Sequence, residues 1–230
     1  MVFDFYGTLT VGRSARTQVA ARAEQAAALG VDREEYDRLL TVTYRDRFRG
    51  LTGGVRQSLA WAAAQLGVVP DEEALDRAEQ VRLASERRLA EPRPEAVPLL
   101  HRLRGSGLRI GVVSDCTAEL PIFFDELPIA ALVDAAVFSC QSGHVKPDPP
   151  NYLECCARLD VEPQQCVYVG DGGSNELYGA AQLGMLPVHL DVPVERGDVI
   201  YGRHAAWSGE SIAALPQLLP LLATLSDSTS

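Results

Sequence analysis

The 230-residue chain reads as an α/β protein, a doubly wound parallel sheet carrying an all-helical insert, and three observations predict this. Beyond residue 92, short apolar runs alternate with helical segments, the order that a parallel sheet with crossover helices requires. Residues 1–5 form one further apolar run, interrupted only by Asp4 and followed at once by the turn Tyr6-Gly7-Thr8. Between these parts, residues 14–90 carry helical periodicity and no strand-like run.

Taken in order, residues 1–5 form a buried strand that is either very short or continues upstream of Met1. In the helical stretch, Gly30-Val31-Asp32, the segment from Gly50 to Gly54, and Gly67-Val68-Val69-Pro70-Asp71 mark the breaks, which predicts four helices. Val19, Ala23, Ala26 and Ala27 share one helical face, and Leu59, Ala62, Ala63 and Leu66 share another. Asp32 and Asp71 stand where helix N-caps belong. The later part predicts helices at 94–104, 118–126, 150–159, 175–183 and, interrupted by prolines, 211–225, with strands at 108–114, 135–139, 166–170 and 186–190. A loose end is expected from Ser226 onward. The domain division is therefore a discontinuous α/β core of residues 1–11 and 91–230 with a helical domain of residues 12–90.

With 47% hydrophobic residues, the chain can bury one substantial core and still carry a small second domain. A net charge of −10 argues against a nucleic-acid or anionic-membrane surface, so the expected partner is a small molecule. The insert holds 13 arginines against 12 acidic residues, whereas the remainder holds 8 basic against 19 acidic, so an anionic small molecule is the one expected. Lys146 is the sole lysine. Five cysteines, Cys116, Cys140, Cys155, Cys156 and Cys166, show no C-x-x-C pair and read as reduced, mostly buried thiols without a zinc site. No basic stretch followed by a signal-length apolar run opens the chain, and a cytoplasmic location is expected. Oligomeric state is not legible.

Asp4, Ser114 and Asp171 each end a predicted strand, so they should converge at the carboxyl edge of the sheet, where such folds bind ligands. An aspartate at that edge can act as a nucleophile through a covalent aspartyl intermediate. Thr8 and Ser114 offer hydroxyl donors, and the backbone amides of the Gly7 turn offer more, to a bound oxyanion. Lys146 supplies a compact positive charge, and Asp171 with Asp4 supplies the hard oxygen ligands that Mg²⁺ prefers. His144 reads as a loop residue, and His101, His189 and His204 have no recognisable partners.

Four segments, Phe3-Asp4-Phe5-Tyr6-Gly7-Thr8-Leu9, Val113-Ser114, Gly143-His144-Val145-Lys146-Pro147 and Val169-Gly170-Asp171-Gly172-Gly173-Ser174-Asn175-Glu176, together resemble the four motifs of the haloacid dehalogenase-like superfamily. The resemblance implies a Rossmann-like hydrolase core with a helical cap inserted after the first motif. It further implies that Mg²⁺ is held by Asp4, Asp171 and the Tyr6 carbonyl, with Asn175 and Glu176 in support. In family phosphatases the second residue after the nucleophile is usually an aspartate that protonates the leaving alcohol. Here it is Tyr6, a weak acid and base at neutral pH. The Asp-x-Tyr-Gly-Thr-Leu form is similar to the 2-haloacid dehalogenases, and Arg45 lies about where those carry a halide-binding arginine. Asp171 and Glu176 point the other way, because several carboxylates beside Asp4 call for a divalent cation and would repel a haloacid. Asp115 also stands where an asparagine commonly follows the motif-two serine. A phosphatase favouring good leaving groups is the expected activity; a dehalogenase and a weakly active binding protein are the alternatives. A cap-lysine Schiff base, as in phosphonoacetaldehyde hydrolases, has no lysine available.

Overall fold

The computed structural model describes residues 1–11, 15–192 and 207–227. The first strand, β1 (Val2–Phe3), is followed by α1 (Ala15–Leu29), α2 (Arg33–Val42), α3 (Tyr44–Phe48), α4 (Val55–Gln65) and α5 (Glu72–Leu89). Next come α6 (Ala96–Gly105), β2 (Gly111–Ser114), α7 (Leu120–Phe123), β3 (Ala135–Phe138), α8 (Ser139–Ser142) and α9 (Pro150–Leu159). The chain continues through β4 (Val167–Gly170), α10 (Glu176–Gln182), β5 (Leu186–Leu190), β6 (Ser211–Ile212) and α11 (Leu218–Asp227).

The strands form one six-stranded sheet in the order β3-β2-β1-β4-β5-β6, and every pairing is parallel. Alternation along the strands serves two cores at once. Phe3, Val112 and Val169 face a layer containing Leu99, Leu100 and Leu103 of α6 and Leu218 of α11. Their neighbours Val2, Val113 and Tyr168 face the opposite layer, with Tyr152 and Cys155 of α9 and Leu177 and Ala180 of α10. From β1 the strand order runs outward through β2 and β3, then returns to the other side of β1 with β4. The β1/β4 boundary is thus the topological switch point, where the crevice at the strand ends lies.

The helices between Ala15 and Leu89 pack on one another around a third cluster that includes Leu29, Tyr36, Leu40, Leu59, Ala62 and Leu75. Where the chain leaves and re-enters the sheet layer, Thr10 pairs with Pro92 and the Arg93 N–H donates to the Leu9 carbonyl at 2.8 Å. The expected N-caps are present: Asp32 accepts from the N–H groups of Glu34 and Glu35 at 2.9 Å each, and Asp71 accepts from that of Ala74 at 2.7 Å.

Several expectations are corrected. The helical stretch contains five helices rather than four, because Thr43 ends α2 with its hydroxyl on the Leu39 carbonyl (2.6 Å) and α3 starts afresh. In α1 the buried face holds Gln18, Ala21, Gln25 and Leu29 together with the expected Ala26, while Val19 and Ala27 are exposed. Apolar periodicity misplaced this face because Gln25 is buried as the acceptor of the Tyr36 hydroxyl, at 2.9 Å. The final helix expected over 211–225 splits into β6 and α11: Ile212 pairs with Leu190, and Pro216 can donate no N–H to a continuous helix. Ser226, expected loose, lies in the last turn of α11. The helix expected at 118–126 begins at Leu120 and tightens from α-helix over Leu120–Phe123 to 3-10 helix over Phe124–Glu126, and the strand expected from 108 starts at Gly111. All five cysteines are free, four of them buried. No helix among the described residues is long and apolar enough to cross a membrane.

Candidate active site

β1 ends one residue before Asp4, whose N–H still pairs with the Val169 carbonyl of β4 at 2.8 Å. The strand thereby fixes the Asp4 backbone at the switch point while the chain turns away. That turn is wide, closed by the Thr10 N–H on the Phe5 carbonyl at 3.1 Å, and it passes through Gly7 at φ +85°. A side chain at Gly7 would be strained there and would overlap Asp171 Oδ2. Glycine is what lets the first loop and the loop after β4 approach each other.

The carboxylate of Asp4 is buried and held on both oxygens. Lys146 Nζ lies 2.5 Å from Oδ1, and the Thr8 hydroxyl donates to Oδ2 at 3.0 Å. Lys146 also donates to Glu176 Oε2 at 2.5 Å, and Tyr168 donates to the same oxygen at 2.8 Å. The other Glu176 oxygen accepts the Gly172 N–H at 3.0 Å. Asp115 accepts the Lys146 backbone N–H at 3.0 and 3.2 Å, which pins the loop that delivers the lysine. Asp171 follows β4 and its Oδ1 accepts the Gly173 N–H at 2.9 Å.

Burial by itself would weaken the Lys146 ammonium, but Asp4, Glu176 and Asp115 outweigh it and hold its pKa well above the ordinary lysine value. Burial and the nearby Asp4 push Glu176 well above the usual carboxylate range, against the opposing pull of Lys146. Burial likewise raises Asp115. Four carboxylates, Asp4, Asp115, Asp171 and Glu176, therefore gather around one ammonium.

Oxygens of Asp4, Asp171 and Glu176 come within 4.8 Å of one another, close enough to share one cation. The donor set is all hard oxygen, and the carboxylates outnumber the lysine, so it fits Mg²⁺ and not a soft, thiolate-seeking metal. Both Glu176 oxygens are already bonded within the protein, so its part is to orient Lys146 and the loop after Asp171.

Ser114, at the end of β2, is fully buried and its hydroxyl has no hydrogen-bond partner, so it is available to a ligand oxygen. Thr8, expected to offer its hydroxyl to a ligand, spends it on Asp4. The Gly7 N–H, expected to face an oxyanion, donates to Thr10 Oγ1 at 3.2 Å. Arg45 lines a cleft with Asp115, Lys146, Ser174 and Asn175, so α3 places it over the site. The Asn175 Oδ1 is buried there without a partner. Tyr6 packs edge-on against Phe5 at 4.9 Å and donates its hydroxyl to Glu86 Oε2 of α5 at 3.3 Å.

Three participants escaped the sequence reading. Arg93 donates to the carbonyls of Thr8 and Gly7 at 3.0 and 2.9 Å, clamping the loop after Asp4. The available signal was its place between two prolines where the chain returns from the insert. Tyr168 reaches Glu176 because alternate residues of β4 share a face, and Glu86 meets Tyr6 from the helical insert. His189, read as partnerless, has Nε2 3.2 Å from the Asp171 carbonyl, because β5 runs beside β4. His144 lies exposed in its loop, as expected, and His204 lies outside the described residues.

A parallel sheet with an aspartate at the switch point and a lysine bridging two carboxylates defines a hydrolase of the haloacid dehalogenase-like class. The chain belongs to that family, whose model, haloacid dehalogenase-like hydrolase, matches residues 1–184. It is 30% identical over 201 residues to (S)-2-haloacid dehalogenase 4A of Burkholderia cepacia, covering 83% of this chain and 81% of that one. It is 34% identical over 103 residues to the glyceraldehyde 3-phosphate phosphatase of Methanopyrus kandleri, a match spanning 43% of each protein and so less than half of the phosphatase. The fold is similar to the crystal structure of a 2-haloacid dehalogenase from Pseudomonas syringae pv. Tomato DC3000, with a TM-score of 0.69, 27% identity and 97% of both chains covered.

Proposed function

We propose that this hydrolase is a Mg²⁺-dependent phosphatase acting on a small anionic metabolite, with Asp4 as nucleophile and residues 12–90 as a cap over the core of residues 1–11 and 91–230. The observation that carries the reading is the cluster of Asp4, Asp171 and Glu176 within 4.8 Å around a single lysine. A haloacid carboxylate entering that cluster would meet strong repulsion, whereas a phosphate that brings a divalent cation would not. Asp4, Asp171 and the Tyr6 carbonyl would hold the metal, which when bound would screen the carboxylates from the phosphoryl oxygens.

An Asp4 oxygen attacks phosphorus, and the bond to the leaving oxygen breaks as the aspartyl-phosphate forms. Lys146 and Thr8 keep the carboxylate aimed, and Ser114 donates to a phosphoryl oxygen. Water then attacks phosphorus, releasing inorganic phosphate and restoring Asp4. Arg45 attracts the anionic substrate from the cap side, and Asn175 and Asp115 border its path to Lys146.

The 2-haloacid dehalogenase reading keeps two supports, Tyr6 after the nucleophile and the extended similarity to such enzymes. One pair of assays separates the two: p-nitrophenyl phosphate turnover with Mg²⁺ or with EDTA, and halide release from 2-chloropropionate. Phosphate release that EDTA abolishes is expected. Metal-independent halide release would reject the phosphatase reading, and silence in both assays would favour a binding protein.

Tyr6 is a poor proton donor at neutral pH and is engaged with Glu86, so acyl and aryl phosphates should outrun alkyl phosphates. The substitution Tyr6→Asp is expected to raise alkyl-phosphate turnover by about ten-fold to a hundred-fold. Steady-state kinetics on glycerol 3-phosphate reads this directly, and an unchanged kcat would refute the account of Tyr6.

A further inference from the structure

A second, small cleft, of about 40 Å³, opens along the helical insert where it meets Thr117 beyond β2. Gln18 of α1, Arg47 of α3, Arg82, Ser85 and Glu86 of α5, and Thr117 beyond β2 lie along it. It begins where the site just described ends: Glu86 accepts the Tyr6 hydroxyl, and Thr117 is three residues past Ser114. A group in this cleft would belong to the part of the substrate that leaves, since the transferring phosphoryl group sits at Asp4.

Among the residues that line it, Gln18 and Arg82 each carry a donor that stands without an acceptor. Gln18 Nε2 and Arg82 Nη1 are buried without a hydrogen-bond partner, in side chains of residues only 6% and 4% exposed. A buried donor without a partner is destabilising, the more so when charged, so two such side chains along one cleft suit a ligand that supplies oxygen. Arg82 is fixed in place, because its Nε pairs with the fully buried Glu119 and leaves Nη1 for another acceptor. A guanidinium and an amide carried by residues that line one cleft suit an oxyanion, whose charge strengthens the bonds it accepts.

We infer that this cleft recognises an oxyanion, a carboxylate or a second phosphate, on the leaving portion of the substrate, with Gln18 and Arg82 as its donors. The inference rests on the phosphatase reading and names its substrate class as doubly anionic.

The test compares KM and kcat of the full-length enzyme for phenyl phosphate, 3- and 4-carboxyphenyl phosphate, and 1,4-phenylene bisphosphate. At least one charged substrate should have a KM about ten-fold below that of phenyl phosphate, and which one does separates carboxylate from phosphate. Gln18→Leu should bring that ratio to about one, and Gln18→Glu should invert it. Arg82 is left intact, since its removal would strand Glu119. Thermal melting distinguishes recognition from packing, because Gln18→Leu deletes an unsatisfied donor and should not lower Tm. Binding of 4-hydroxybenzoate and of the non-hydrolysable 4-hydroxyphenylphosphonate, measured by calorimetry, needs no turnover and should weaken about ten-fold in Gln18→Leu. Equal KM values across the series, or a preference and an affinity that survive Gln18→Leu, would overturn the inference. Cleft binding lost in Gln18→Leu, without turnover of any phosphate ester, would support the cleft as an oxyanion site and reject the phosphatase reading alone.

Discussion

Asp4→Asn is expected to cut turnover by roughly ten-thousand-fold while leaving the fold and the melting temperature nearly unchanged. Asparagine has almost the same shape, and its carbonyl oxygen can still accept from Lys146 or Thr8, the two donors that hold the aspartate at 2.5 and 3.0 Å. What it loses is the negative charge that makes the oxygen a nucleophile. The backbone bond from residue 4 to Val169 is independent of the side chain, so β1 and β4 stay in register. Burst and steady-state kinetics on p-nitrophenyl phosphate, with circular dichroism melting as the control, measure both halves. The same loss is expected if the substrate is a haloacid, because either chemistry runs through a covalent ester or anhydride of Asp4. Residual activity within ten-fold of the parent would remove Asp4 from the nucleophile's role.

The positions of Asp4, Ser114 and Asp171 were legible in the sequence because strand ends are: an apolar run stops, a glycine or polar residue follows, and the parallel topology brings all such ends to one edge. Lys146 was legible by its loop motif and by being the sole lysine. The hydrogen bonds that give these residues their tasks were not. Asp115 was legible as the residue after the motif-two serine, but not its hold on the Lys146 backbone, which depends on how the loop before α9 folds over β2, 31 residues away in sequence. Thr8 and Tyr6 follow the same nucleophile, but one turns inward to Asp4 and the other outward to Glu86, a choice set by the wide turn through Gly7. Arg93 acts across 85 residues on the Thr8 carbonyl, a distance at which one-dimensional periodicity is silent. In the fold, the missed features have a common cause: β6 is two residues long, and the buried face of α1 carries glutamines, so neither announces itself through apolar spacing.

Lys146 should be the most damaging position for stability and activity together, and two substitutions separate those effects. Lys146→Met leaves Asp4 and Glu176 buried near each other with no cation between them, in a site where both had been bonded to Nζ at 2.5 Å. Breaking a buried ion pair by removing one partner costs about 3–5 kcal/mol. The lower end is expected here, because burial and Asp4 already hold Glu176 well above the carboxylate range and it can take up a proton. Lys146→Arg restores the charge and should recover much of the melting temperature. It should not recover turnover, since a planar guanidinium cannot place one compact charge between Asp4 Oδ1 and Glu176 Oε2 with the Tyr168 hydroxyl 3.5 Å away. Denaturant unfolding of both variants, beside kcat on p-nitrophenyl phosphate, decides the matter. An arginine variant that is both stable and active would mean that Lys146 contributes charge alone, and that the bridging geometry between the nucleophile and Glu176 is incidental to the reaction.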